Sequence, residues 1–114
     1  MAIRVNEQAR EHAGNLIQGR QYERESDWSE AQPSTEQENA FIEEHGWEAY
    51  SRWHLAYDDE QNEETKGRYK FPFGDFEKLH RSGLIAAEQR AGKESYNELE
   101  RVIRELLESM PGEG

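Results

Sequence analysis

WEAYSRWHLAYD, residues 47–58, holds two of the three tryptophans and two of the five tyrosines of this 114-residue chain. Its reading decides the fold. Trp47, Tyr50, His54 and Tyr57 recur at i, i+3, i+7 and i+10, the spacing of one helix face. The spacing predicts a helix whose buried side is mostly aromatic. With valine at only two positions, 5 and 102, the composition argues against an extensive sheet.

Upstream, PSTEQENAFIEEHG opens a helix: Ser34 or Thr35 can cap it, Gln37 or Glu38 sits three residues on as a capping box requires, and Gly46 suits the C-terminal end. Further back, Val5, Ala9, Ala13, Leu16 and Ile17 run close to a helical period, with Gly19 as a stop. Between Gln18 and Asn39 no aliphatic side chain is larger than that of Ala31, so Tyr22 and Trp28 are the only anchors. This stretch is expected to be a long, mobile acidic connection pinned by Trp28.

Downstream of Tyr57, DDEQNEETKG is polar throughout and reads as a loop. Tyr69, Phe71 and Phe73 then alternate. Pro72 is expected to hold Phe71 extended, Gly74 to permit a turn, and Asp75 to cap the next helix. That helix is predicted over 75–91, with Phe76, Leu79, Gly83, Ala87 and Ala91 on one side and Gly92 as its end. ESYNELERVIRELLESMPG supplies a partner: Ser95 and Glu98 form a capping box, Leu99, Val102, Ile103, Leu106 and Met110 form a stripe, and Pro111 and Gly112 terminate it. The expected fold is all-α, a single domain of four to five helices with a C-terminal antiparallel hairpin and an extended aromatic loop from Tyr69 to Gly74. It divides into a short helix at 1–17, the connection at 18–39 and a main helical part at 40–114.

Composition narrows the chemistry. There is no cysteine, which removes disulfides and thiolate ligands. No apolar run approaches the ~20 residues of a membrane span, so a cytoplasmic protein without a membrane partner is expected. The net charge is −11, which also suits a salt-tolerant host. Residues 1–65 carry 5 basic and 16 acidic side chains, whereas residues 66–114 carry 9 of each. All the excess negative charge therefore lies before Lys66.

Four histidines, His12, His45, His54 and His80, stand among 21 glutamates; the helically spaced pairs Glu44 with Glu48 and Glu7 with Glu11 have no His in register to form a Glu-x-x-His repeat. Neither a nucleophile elbow nor a phosphate loop is present. Ser82 lies two residues after His80, a poor spacing for pairing on one helix. No catalytic residue, cofactor or metal site is expected; a metal-dependent enzyme built on His45, His54 or His80 is the least favoured alternative.

The candidate partner-binding residues are Lys66, Arg68, Tyr69, Lys70, Phe71, Phe73, Lys78 and Arg81, together with Trp28 and Trp53. Interleaved cations and rings are what tracking a phosphate backbone and stacking bases require. The same residues also serve as an extended clamp, a turn and a helix start, and the total charge opposes nucleic acid. The leading expectation is an acidic, non-catalytic interaction protein that binds another protein or a second copy of itself. The alternative is a nucleic-acid-associated protein, either a single-strand binder or an acidic mimic of DNA.

WHLAYD and TKGRYKFPFGDFEKLHRSGLIAAEQRAG resemble a pattern in small proteins of bacteria, halophilic archaea and their phages. A more distant echo is the Tyr-Lys-x-Pro segment and Ala-rich helix of proteins from phage head gene clusters. The resemblance spans about Trp47 to Leu107 and is most specific from Tyr69 to Arg81. It implies a phage-associated accessory domain and, since no activity is established for the pattern, assigns no catalytic role.

Overall fold

The computed structural model describes residues 2–111. In chain order the elements are β1 (Ile3–Val5), α1 (Glu7–Gln18), β2 (Tyr22–Glu23), α2 (Trp28–Ala31), α3 (Thr35–His45), α4 (Trp47–Ser51), β3 (His54–Asp58), β4 (Tyr69–Pro72), β5 (Leu79–His80), α5 (Arg81–Lys93) and α6 (Asn97–Ser109). The described chain is thus mixed α/β, and the all-α expectation is corrected. Order β1-β3-β4 forms an antiparallel sheet, and β2 pairs with β5 in parallel. Residue 1 and residues 112–114, including the expected terminator Gly112, lie outside the described residues.

The correction turns on WEAYSRWHLAYD. Its helix lasts only from Trp47 to Ser51, and His54–Asp58 becomes the central strand, with His54, Leu55, Ala56 and Asp58 all buried. A strand covered on both faces has no alternation to read, so the aromatic spacing mimicked a helix. Asn6 fixes the switch. Its side-chain amide donates to the carbonyls of Ser51, at 2.9 Å, and His54, at 3.1 Å, while its Oδ1 accepts the Ala9 amide as the cap of α1. The Asn6 backbone amide donates to Leu55 O at 2.8 Å. One buried side chain therefore ends a helix, starts another and holds the strand between them.

The predicted capping box of Ser34 and Gln37 is present, and Gly46 ends α3 at φ +91°. Gly19 ends α1 as expected. Within 18–39, β2 pairs with β5, and Trp28 packs so tightly on α5 that a Cβ at Gly83 would lie 3.0 Å from its ring. The helix expected at 75–91 begins only at Arg81. Asp75 instead closes a local turn by accepting the amides of Glu77 and Lys78, and β5 follows. Ser95 does not cap α6: it sits at φ +61°, and Tyr96 occupies the cap without a side-chain bond.

Pro72 does not hold Phe71 extended. Phe71 lies at φ +63° and Phe76 at φ +72°, a region that costs a bulky residue about 1–3 kcal/mol and persists only where the surroundings enforce it. The inversion sends the buried Phe71 ring towards Tyr96, 6.1 Å away, and under the Arg90 guanidinium at 5.2 Å. Gly74 is required by close approach, since a Cβ there would fall 2.4 Å from the Trp53 ring and 2.6 Å from Lys78 O.

Helices α5 and α6 pack together as a hairpin, and α1, α5 and α6 lie against the strands. Their contribution to the core is small or aliphatic: Ala9, Ala13, Leu84, Ala87, Ala91, Leu99, Val102 and Ile103. A second cluster is built of rings. Phe76 stacks on Phe41 at 4.3 Å and reaches Tyr50 and Trp53 at 6.0 Å, while Trp53 stacks on Phe73 at 5.7 Å.

Candidate functional site

The start of α1, helix α4 and the strands β3 and β4 surround an open cleft of about 570 Å³. Trp47, Tyr57 and Tyr69 provide its aromatic walls, and Glu7, Glu48, Glu63 and Glu64 its carboxylates. Trp47 stacks on Tyr69 at 6.3 Å, and both rings contact Tyr50. Tyr69 and Tyr57 are directly paired across β4 and β3, which places the two rings side by side. The Tyr69 hydroxyl donates to Glu63 O at 2.6 Å and so folds the acidic loop 58–65 against the cleft.

One cation already sits there. The Arg68 guanidinium lies 4.8 Å from the centre of the Tyr57 ring and 6.0 Å from that of Tyr69, and it donates to Gln61 O at 2.7 Å. The cleft thus has the means to hold a guanidinium: ring faces, a carbonyl and carboxylates. Burial raises the Tyr69 hydroxyl above its ordinary pKa, so it stays protonated and donating. Behind the cleft, burial followed by the neighbouring Glu38 raises Tyr50 strongly. His54 donates Nδ1–H to Tyr50 O at 2.9 Å, and burial pulls its pKa down to about 4.

The other expected binding residues are scattered. Phe71, Phe73 and Trp53 are buried and present no free ring face. Lys66 pairs with Glu38 at 3.4 Å and Lys78 with Glu23 at 3.1 Å, so two cations of the basic edge meet the acidic half of their own chain. Lys70 follows Tyr69 in β4 but lies beside Phe71 and Arg90 in another depression and does not line the cleft. Arg81 begins α5, and Trp28 packs beneath it on Gly83. Only Arg68 and Tyr69 of the expected set line the aromatic cleft. Tyr57 was missed because its helical spacing assigned it to a buried face.

A second polar cluster lies near a cleft of about 470 Å³ between the 18–39 stretch and the 75–80 turn. Ser26 Oγ is 2.6 Å from His80 Nδ1, His80 Nε2 is 2.9 Å from Asp75 Oδ2, and Ser82 Oγ is 3.1 Å from Ser26 Oγ. Burial alone would raise the Asp75 carboxyl. The His80 bond and the amides of Lys78 and Glu77 outweigh it and hold the group below its usual range. Asp75 is therefore an ionised acceptor; in a neutral imidazole that assigns the His80 proton to Nε2 and leaves Nδ1 to accept from Ser26. The expectation of poor pairing holds for Ser82, which reaches His80 only through Ser26, a residue 54 positions away in sequence from that histidine.

Among the described residues no three His, Asp or Glu side chains converge as metal ligands, and no helix is long and apolar enough to cross a membrane. No family model, curated protein or solved structure matches this chain.

Proposed function

We propose that this is an interaction protein that captures a cationic, arginine-bearing segment of a protein partner in the aromatic cleft. The observation that carries the reading is Arg68, whose guanidinium occupies the Tyr57 and Tyr69 faces and defines the chemistry the cleft accepts. Glu63 and Glu64 on the 58–65 loop add negative charge at the mouth, and the chain's net charge of −11 attracts a basic partner from a distance. Direct binding to single-stranded nucleic acid draws less support, because Phe71, Phe73 and Trp53 are buried and Lys66 and Lys78 are engaged with Glu38 and Glu23.

The test is titration of a fluorescent arginine-rich peptide at low salt, read by anisotropy. Binding that weakens at least tenfold in Trp47→Ala and in the Glu63→Gln/Glu64→Gln double variant supports the reading. A labelled oligonucleotide binding more tightly than the peptide would overturn it. So would peptide binding indifferent to both variants. Light scattering in the same buffer separates capture of a partner from pairing of two copies.

A further inference from the structure

Beyond partner binding, we propose that Ser26 is a nucleophile activated by His80 and Asp75, able to accept an acyl or phosphonyl group from a neutral or cationic activated ester. Three features set this cluster apart from an ordinary polar contact. The Ser26 to His80 bond is short, at 2.6 Å, and His80 is almost wholly buried, so the imidazole is held in one orientation. Its far nitrogen is fixed by an ionised carboxylate at 2.9 Å. Ser26, His80 and Asp75 all open onto the same cleft, whose other walls are Glu23, Glu77 and Lys78. A nucleophile, a base and a group that orients the base are the parts a serine-type reaction needs.

Serine meets Nδ1 here and the carboxylate meets Nε2, the reverse of the usual serine-hydrolase order. Either ring nitrogen serves as base once the other holds the proton. In the first step Ser26 Oγ bonds to the ester carbon as its proton passes to His80 Nδ1, and Asp75 faces the resulting imidazolium. The tetrahedral intermediate then expels the alcohol, which takes the proton back from Nδ1. Water, deprotonated by the same nitrogen, releases the acid and restores Ser26. No side chain caps the first turn of α5, where Ser82 lies beside Ser26, so in this proposal the amides of that turn take the developing oxyanion. The carboxylates of Glu23, Asp75 and Glu77 disfavour an anionic substrate and set the preference for a neutral or cationic one.

A fluorophosphonate probe tests the proposal on the intact chain. The expected result is one adduct, located on Ser26 by peptide mapping, abolished in Ser26→Ala, slowed at least tenfold in His80→Gln and unchanged in Ser109→Ala. No adduct on the folded protein, or an adduct on another serine, overturns it. A second measurement does not depend on the folding of the His80 variant. The chain has no cysteine, so Ser26→Cys carries a single thiol. Its alkylation by iodoacetamide should show a midpoint at least one pH unit below the ordinary thiol value of about 8.5. An unshifted midpoint shows that His80 does not accept the proton and sinks the idea.

Discussion

Within α1, α5 and α6 the buried side chains are small or aliphatic and carry no hydrogen-bonding group, the buried polar residues there being Asn6 and His80 at the starts of α1 and α5. Around α4, β3 and the 73–76 turn, rings predominate beside Leu55 and Ala56, and a buried polar ring atom has its partner: His54 donates Nδ1–H to Tyr50 O. The first region is held by aliphatic shape and area, the second by ring packing together with the buried bond from His54 to the Tyr50 carbonyl. It follows that volume loss should damage the first most and protons the second.

The largest expected effect is on the aliphatic side. Ile103 is fully buried, so Ile103→Ala should destabilise by about 3–4 kcal/mol in urea unfolding. If Phe41→Ala, on a half-buried ring at the periphery of the other cluster, costs as much, the comparison fails. Acid should reverse the ranking. His54 takes up its proton near pH 4 when folded and near 6.5 when exposed. Between those values the unfolded chain holds more protons, so stability is full above about 6.5 and falls as pH drops towards 4, by a loss on the order of 3 kcal/mol. His12, whose pKa burial and then Arg52 depress, acts in the same direction. A His54→Phe variant should lose most of this acid slope, while Ile103→Ala should keep it.

Asn6→Ala tests the junction of the two regions. Losing a helix cap and leaving two carbonyls without their donor should cost about 2–3 kcal/mol, with a matching fall in the midpoint of thermal unfolding. The smallest effect has the opposite sign. A methyl at Gly14 meets nothing within 4 Å, so Gly14→Ala should stabilise by about 0.5–1 kcal/mol, chiefly through helix propensity. A loss of stability there would show that the α1 and α6 surfaces sit closer than described.

The aliphatic side was legible in the sequence because a helix with one buried face repeats its apolar residues, as Leu99, Val102, Ile103 and Leu106 do. The capping box at Ser34 was equally readable, since its two bonds join residues three apart. The aromatic side was not. His54–Asp58 is covered on both faces, and its strand partners lie at residues 3–5 and 69–72, so nothing within a local window marks it as a strand. Phe71 and Phe76 adopt φ angles that no local rule assigns to phenylalanine. The candidate sites failed for the same reason. Tyr57 with Tyr69, and Ser26 with His80, are neighbours only once β3 and β4, or β2 and β5, have paired.

The strand pairings also set a timetable for synthesis. β1 emerges first but cannot pair until β3 has followed more than fifty residues later, and β2 must wait as long for β5. A chain of 65 residues would hold β1 and β3 but neither β4 nor β5, and all the excess negative charge of the protein. Mutual repulsion keeps such a nascent segment solvated and apart from its copies while its partners are still being made. A 1–65 fragment is accordingly expected to stay unfolded yet unaggregated, which circular dichroism and light scattering would check.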